Sequence, residues 1–184
     1  MSIEEPPYGV ESKNEVYEIR KYLEIIVAET VIKASFETSG NEAFKVLAGY
    51  IFGNNRSQSK ISMTASVTQS SNSEKIAMTA PVNQIEAREG FRYQFTMPKS
   101  YTLESLPTPN DPRVLLKKIP ARRIAVLQYS GSWSEERYKL KLNLLFEALK
   151  KDQLHTIGDP IFSRFNSPYE LWFLRRNEIW MELK

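Results

Sequence analysis

One eight-residue string occurs twice within a short stretch of the chain. Residues 60–67 read Lys-Ile-Ser-Met-Thr-Ala-Ser-Val, residues 75–82 read Lys-Ile-Ala-Met-Thr-Ala-Pro-Val, and the copies agree at six of eight positions. In each copy every second residue is apolar, a pattern that predicts a half-buried strand. One interpretation is therefore two strands that contribute Ile, Met and Val to a core. The alternative is that Met63 and Met78 line a pocket for a large apolar ligand, because thioether side chains adapt to irregular surfaces.

The amino-acid composition excludes several kinds of chemistry. The chain has 184 residues, enough for one domain with a sizeable core, and we expect a single domain over residues 1–184. It has no cysteine, which excludes thiol nucleophiles, disulfides and iron–sulfur clusters. Its one histidine, His155, excludes a multi-histidine metal site and argues against a hydrolytic triad. We predict no catalytic residues and no metal ligands, and hence a protein that is not an enzyme.

The charge and hydropathy of the chain limit the classes of partner that we expect. The net charge is +3, and the basic residues are interspersed with acidic ones, so we expect no nucleic-acid partner. No apolar run approaches the length of a membrane span, so we expect no membrane insertion. The first seven residues are polar and acidic, unlike a secretory signal, and we therefore expect a cytoplasmic location. Nothing in the sequence predicts the oligomeric state.

The chain reads as two similar halves, about residues 15–98 and 113–184, joined by a proline-containing connector over 99–112. In the first half a strand over 24–32 precedes a capping-box pattern, Ser39 to Glu42, and a helix through about Phe52 that Gly53 and Asn54 close. In the second half a strand over 122–129 precedes Ser132 to Glu135 and a helix to about Lys151.

Further strands follow each predicted helix. In the first half these are the two methionine-containing strings and residues 91–97. In the second half they are residues 160–165, 169–174 and 178–183, the last two forming a hairpin that turns at 175–177. Both halves thus read strand, helix, paired strands. Such halves can bury their apolar sheet faces against each other around a pseudo-two-fold axis, which predicts an α+β fold.

The first predicted helix carries an unusually wide apolar surface. Its apolar residues at helical spacing are Phe44, Leu47, Ala48, Ile51 and Phe52, and Ala43, Val46 and Tyr50 extend that surface. One interpretation is that the helix is wedged between a sheet and a loop. The other is that one flank packs on the sheet while Phe44, Ala48 and Phe52 cover a ligand groove.

Several strings together resemble the SOUL haem-binding protein family. They are Tyr-Ile-Phe-Gly-Asn-Asn at 50–55, the second methionine string at 75–82, residues 93–98, residues 109–114, and Phe-Leu-Arg-Arg-Asn-Glu-Ile-Trp at 173–180. The resemblance covers about residues 7–184. It implies two similar halves that form a twisted, barrel-like antiparallel sheet flanked by two helices. It also implies binding of haem or a related tetrapyrrole against the first helix and the following loop.

From this resemblance we predict reversible tetrapyrrole binding, for carriage or buffering. The predicted binding residues are Asn41, Phe44, Ala48, Ile51, Phe52, Arg56, Lys60, Met63, Lys75 and Met78. Among them the three basic residues are candidates for contacts with haem propionates, although each could equally be a plain surface charge. His155 lies in the other half of the chain, so we predict no strong axial ligand to the iron.

Two other functions remain open at this point. The family is also similar in fold to bacterial effector-binding domains, and acidic pocket residues would favour a cationic ligand. Glu86, Glu170 and Glu178 are the acidic residues available on predicted strands. A protein-interaction scaffold would instead show a contiguous exposed apolar patch. An enzyme is not predicted, because the chain has no phosphate-binding loop, metal cluster or activated nucleophile in a recognisable motif.

Overall fold

The protein has an α+β fold in which a large, curled antiparallel sheet forms a half-barrel with two helices. The computed structural model describes residues 3–58, 73–166 and 169–184. The helices are α1 (Ser39–Ile51) and α2 (Glu135–Lys151). The strands are β1 (Tyr8–Lys13), β2 (Glu18–Tyr22), β3 (Ile25–Ile32), β4 (Asn55–Arg56), β5 (Val82–Glu86), β6 (Phe91–Thr96), β7 (Thr108–Pro109), β8 (Leu115–Ile119), β9 (Arg122–Ser130), β10 (Thr156–Arg164) and β11 (Arg176–Leu183).

Nine strands form one sheet in the order β1-β2-β9-β11-β10-β5-β6-β3-β8, and β4 pairs separately with β7. The seam between β5 and β10 lies near the middle of the sheet. From that seam the order runs β5, β6, β3 on one side and β10, β11, β9 on the other. The predicted halves do not separate cleanly, because β2 of the first half pairs with β9 of the second, and β8 of the second pairs with β3 of the first. The predicted pseudo-two-fold relation between the halves stays a prediction.

The helices cover separate parts of the sheet. Beneath α1, a core cluster that includes Leu47 and Ile51 packs α1 against β3 and β6. Beneath α2, a second cluster that includes Leu145 and Phe162 packs α2 against β11 and its neighbours. A third cluster, which includes Trp180, covers the opposite face of the sheet. Neither helix in the described part of the chain is both long and apolar enough to cross a membrane.

The strand prediction was right for five runs and wrong for the second methionine string. Predicted strands over 24–32, 91–97, 122–129, 160–165 and 178–183 correspond to β3, β6, β9, β10 and β11. Residues 75–78, in contrast, have no regular secondary structure. The reason is that Ile76 donates its N–H to the carbonyl of Ile51 (2.8 Å), an unpaired acceptor at the end of α1, and not to a strand. The first copy, residues 60–67, falls outside the described residues.

The predicted hairpin over residues 169–183 was also wrong. Residues 169–174 contain a turn and a short 3-10 helix, Trp172–Leu174, and β11 pairs with β10 and β9. The apolar side chains that suggested a strand are exposed: Tyr169, Leu171, Trp172, Phe173 and Leu174 are each more than half accessible to solvent.

Both predicted helix caps are displaced from the serine that the capping-box pattern marked. Thr38, not Ser39, caps α1, and its side chain makes no capping hydrogen bond. Ser39 is fully buried, and its hydroxyl lies 2.8 Å from the Tyr93 hydroxyl. Ser134, not Ser132, caps α2, where its side chain accepts a hydrogen bond from the N–H of Arg137 (3.4 Å). The end of α1 was predicted correctly, since Gly53 follows it with a φ of 118° that favours glycine.

Candidate functional site

The two helices leave a cleft between them, and the central strands form its floor. Arg164 of β10, Val82 of β5 and Phe95 of β6 are paired across neighbouring strands. Directly paired residues of antiparallel strands project to the same face of a sheet, so the row points toward the helices. A second such row consists of Phe162, Gln84 and Tyr93.

We call this region the inter-helix cleft. The exposed flank of α1 at Phe44 bounds it on one side, and the start of α2 at Trp133 and Tyr138 bounds it on the other. Phe44 packs on Phe95 with ring centroids 5.8 Å apart. Across the cleft, Tyr138 packs on Phe162 with centroids 5.1 Å apart. Aromatic side chains on both sides of the cleft therefore pack against residues of the two rows that form its floor.

The predicted residues of α1 divide between the surface and the core. Phe44 is 41% exposed and Phe52 is 55% exposed, so both rings are available to a ligand. Ala48 lies between them on the helix and is almost buried. Ile51 is buried within the core beneath α1, where a ligand would have to displace packed side chains to reach it. Asn41, in the first turn of α1, is exposed.

Met78 lies in a stretch that is anchored on both sides. Before it, the Ile76 N–H is bound to the C-terminal end of α1. After it, the Thr79 hydroxyl donates to the carbonyl of Thr96 at the end of β6, and the Ala80 N–H donates to the carbonyl of Glu4 (2.9 Å). Met78 itself is 38% exposed. The backbone there is held in place while the thioether stays accessible beside α1.

The remaining predicted residues are surface charges or are not described. Lys75 and Arg56 are exposed, near the C-terminal end of α1. Lys60 and Met63 lie outside the described residues. Phe44 and Phe52 are thus exposed on α1, and Met78 is exposed in the segment that follows Ile76.

Glu178 is the acidic residue whose environment the sequence could not anticipate. It is fully buried, and its carboxylate accepts hydrogen bonds from Arg20 (3.1 Å), Arg176 (2.9 Å) and the indole N–H of Trp180 (2.7 Å). Burial alone would lower the pKa of Arg20, but the neighbouring Glu178 carboxylate raises it above its usual value. This carboxylate is already neutralised. It pairs in register with Ser163, the neighbour of Arg164, on the sheet face that points away from the cleft.

Two hollows in the described structure lie away from the predicted binding residues. A cavity of about 340 Å³ lies between the N-terminal segment 4–7, the start of β3 and residues 96–102. A smaller hollow of about 120 Å³ lies at the far end of the inter-helix cleft, lined by Phe36, Gln84 and Tyr138 among others. No predicted binding residue lines either hollow. On the described part of α1, Phe44 and Phe52 are exposed to solvent and line neither of these two hollows.

No metal centre built from protein side chains is present among the described residues, which contain no group of three or more His, Asp or Glu side chains placed to hold a metal ion. His155 is exposed and follows α2, and its carbonyl accepts a hydrogen bond from the N–H of Lys184 (2.9 Å). It therefore lies beside the C-terminus of the chain, on the α2 side of the molecule.

Solved structures share this fold at low sequence identity. The C-terminal domain of EcmrR is 12% identical with a TM-score of 0.61, covering 91% of this chain and 98% of that one. A hydrolase from Listeria innocua is 9% identical with a TM-score of 0.64, covering 95% and 94%. SAV2435 bound to tetraphenylphosphonium is 10% identical with a TM-score of 0.50, covering 91% and 93%. At such identities the likeness concerns the fold alone.

Sequence comparison gives a more specific result. No curated protein matches this sequence. The family model described as SOUL heme-binding protein, however, matches residues 3–182, which is nearly the whole chain. The matched range includes both helices, the inter-helix cleft and the strings that suggested the resemblance. The chain belongs to the SOUL heme-binding protein family.

Proposed function

We propose that this protein binds haem or a related tetrapyrrole reversibly, without catalysis, on the accessible flank of α1. The observation that carries the proposal is that Phe44 and Phe52 are exposed on α1 and that Met78 is exposed two residues after Ile76, whose N–H is bound to the end of that helix. Large apolar side chains that remain accessible on an ordered surface often mark a binding site. Membership of a heme-binding family supplies the chemical class of the ligand.

The residues present fit the apolar part of such a ligand. The two phenylalanine rings and the thioether would contact the macrocycle, and Val82 on the floor is half-buried beside them. Covering about 300 Å² of apolar surface at about 25 cal/mol per Å² would contribute about 7 kcal/mol. Association costs offset about half of that or more, so micromolar affinity is the expected range. Affinity of this order suits carriage or buffering.

Haem, if bound here, would supply an iron that a protein side chain could coordinate. Met78 is the thioether at the described part of the site, and thioethers are weak iron ligands, whereas His155 lies on the α2 side of the molecule. We therefore expect an absorption spectrum without the signature of a strong protein ligand. The protein's apolar side chains would contact the macrocycle and exclude water from one of its faces.

The test is a haem titration followed by the Soret absorption. We expect a saturable shift with the wild-type protein, and a loss of affinity of at least about tenfold for Phe44→Glu, since a charge would be buried against the ring. Leu140→Glu is the matched control, because Leu140 is 66% exposed on α2, away from the site. Serum albumin shows what non-specific haem binding looks like. No shift at micromolar haem, or equal loss in both variants, would contradict the proposal.

A second candidate is an effector-binding module for another flat amphipathic molecule. The fold shared with the EcmrR domain and with SAV2435 bound to tetraphenylphosphonium, a lipophilic cation, favours it. Of the acidic residues that would favour a cation, Glu178 is already paired, and Glu86 and Glu170 are exposed. A thermal-shift screen with tetraphenylphosphonium and haem separates the two functions, because a ligand of the native state raises the melting temperature.

A third candidate, a protein-interaction scaffold, is favoured by the exposed apolar segment 169–174. Five of its six side chains are large, apolar and more than half accessible to solvent. Sedimentation over a range of protein concentrations would show whether that segment mediates self-association. We expect such association, if it occurs, to be abolished by Trp172→Ser while haem binding is unchanged.

A further inference from the structure

Arg164 is a largely buried cation on the floor of the inter-helix cleft. Its guanidinium carbon lies 4.9 Å from the centre of the Phe162 ring and 5.2 Å from that of Trp133. It donates a hydrogen bond to the side-chain carbonyl of Gln84, and it neighbours the hydroxyl of Tyr93. Within residues 3–58, 73–166 and 169–184 no carboxylate forms an ion pair with it. All of these neighbours are neutral, so its charge is not compensated.

Both helices begin near this charge. A Cβ atom placed on Gly40, in the first turn of α1, would lie 3.2 Å from Nη1 of Arg164. Trp133 immediately precedes Ser134, the N-cap of α2. The N-terminal end of a helix carries partial positive charge and unpaired N–H groups. Burial lowers the pKa of Arg164, and the neighbouring hydroxyls of Tyr93 and Tyr129 oppose that effect only in part.

Hydrogen-bond donors in this region lack acceptors. The Nε of Arg164 and the hydroxyl of Tyr129 are fully buried, and neither has a hydrogen-bond partner among the described residues. Both belong to one group of side chains, since Arg164 and Arg137 each act electrostatically on Tyr129. Buried donors without acceptors are uncommon in native proteins and call for an explanation.

Two more arginines add positive charge. The guanidinium of Arg137 lies against the backbone of Gly131, where an added Cβ would be 2.6 Å from Nη1, and no described carboxylate pairs with Arg137. The guanidinium carbon of Arg175 lies 4.4 Å from the centre of the Trp133 ring. Three arginines thus surround Trp133 and Tyr129.

The acidic residues of the cleft lie beyond Gln84. Glu86 and Glu135 line the small hollow at that end, and Glu135 is paired with Lys139 (2.7 Å). Glu178 projects to the other face of the sheet, as described above. The end of the cleft at Arg164 is therefore cationic, whereas the end at Glu86 is mixed.

We propose that Arg164, together with Arg137, binds the anionic group of an amphipathic ligand: a carboxylate, a sulfonate or a phosphate. The register explains how one molecule could reach both parts of the site. Phe44 packs on Phe95, and Phe95, Val82 and Arg164 are paired across three neighbouring strands. Two strand spacings amount to about 10 Å, so an apolar body against Phe44 can place an acidic group at Arg164. The inference rests on the cleft of the proposed function and adds the charge of its ligand.

A pair of fluorescent probes that differ in one charge tests this inference. 8-Anilinonaphthalene-1-sulfonate carries a sulfonate, and N-phenyl-1-naphthylamine has the same ring system without it. We expect the wild-type protein to bind the sulfonate more tightly. Arg164→Gln should weaken binding of the sulfonate probe by about tenfold, which is the loss expected for a charge-assisted hydrogen bond. The same substitution should weaken binding of the neutral probe by less than about twofold. The control Arg123→Gln, which removes a cation paired with Glu11 at 2.5 Å, should change neither affinity.

A measurement on the unmodified protein covers the case in which Arg164→Gln fails to fold. Inorganic phosphate at constant ionic strength should displace the sulfonate probe and leave the neutral probe bound. Equal affinity for the two probes, or displacement of neither by phosphate, would overturn the inference. Haem is titrated in parallel. A charge-dependent result without haem binding contradicts the tetrapyrrole proposal alone, and haem binding without charge dependence contradicts this inference alone.

Discussion

At the scale of single residues, Ser39 has a role that differs from the one its sequence position suggests. Its hydroxyl lies 2.8 Å from the Tyr93 hydroxyl in the buried core, whereas the N-cap residue Thr38 makes no capping hydrogen bond. We expect Ser39→Ala to lower the free energy of unfolding by about 1–2 kcal/mol, because it removes the partner of a buried hydroxyl. Thr38→Ala should cost less than about 0.5 kcal/mol. Urea unfolding measures both, and a larger loss for Thr38→Ala would contradict this assignment.

Glu178 is the residue whose removal should be most costly. Arg20 is 3% exposed and Glu178 is fully buried, so neutralising the carboxylate leaves a buried guanidinium with Glu18 as its remaining ion-pair partner. We expect Glu178→Gln to destabilise the protein by about 3–5 kcal/mol in urea unfolding. The double variant Arg20→Met, Glu178→Leu should recover part of that loss, because both charges are then absent. If the double variant loses more free energy of unfolding than the two single variants lose together, the desolvation argument is wrong.

At the scale of secondary-structure elements, the start of α2 offers a matched pair of serines. Ser134 accepts a hydrogen bond from the Arg137 N–H, and Ser132 lies outside the helix, with its hydroxyl 3.4 Å from that of Ser134. We expect Ser134→Ala to cost about 0.5–2 kcal/mol of stability and Ser132→Ala to cost distinctly less. Chemical denaturation followed by circular dichroism checks the order. A larger loss for Ser132→Ala than for Ser134→Ala would indicate that Ser132 caps α2, as the capping-box pattern predicted.

Elements were predictable where local pattern and tertiary burial agree. Strands β3, β6 and β9 are each buried over four consecutive residues, and their runs of apolar and aromatic residues predicted them. The second methionine string has a clear alternation of apolar residues, but its Ile76 N–H binds a carbonyl of α1 and not a strand. The apolar run 169–174 is exposed, and a hydrophobic pattern alone does not distinguish buried from exposed side chains.

The candidate site was predictable in its apolar part only. The helical spacing of Phe44 and Phe52 indicated a wide apolar flank on α1, and both rings are accessible. The electrostatic part was not predictable, because it depends on strand register. Arg164 reaches the cleft through its pairing with Val82 in β5, about 80 residues away along the chain. No local pattern around Arg164 signals that partnership.

At the scale of the whole molecule, the cleft is a product of how the halves meet. Each helix covers its own core cluster, and β5 and β10 join the two sides of the sheet between them. The buried hydrogen bond from Ser163 to Asn83 (2.8 Å) links these strands at the seam. The floor is therefore part of one continuous hydrogen-bonded sheet, and Phe44 is exposed at its border. A continuous sheet surface with an exposed ring beside it suits a ligand that is flat and apolar.

Tyrosines distributed over the whole molecule predict how its stability depends on pH. Burial and a hydrogen bond to Asp152 raise the pKa of Tyr17 to about 12. The hydrogen bond to Glu74, together with burial, raises the pKa of Tyr101 to about 12. Burial raises the pKa of Tyr129 to about 12. In the unfolded chain the pKa of tyrosine is about 10. The raised pKa values therefore contribute stability that is complete below about pH 10 and is lost as the pH rises through about 12.

We accordingly expect the urea midpoint to be constant just below about pH 10 and to fall steadily between about pH 10 and 12. Tyrosinate absorbance of the native protein should appear at a higher pH than that of the unfolded protein. Tyr17→Phe removes one of the tyrosines with a raised pKa, so it should flatten the decline while lowering stability at neutral pH through the lost bond to Asp152. A midpoint independent of pH across this range would mean that these hydroxyls ionise as freely in the folded protein as in the unfolded chain, and their burial would then be wrong.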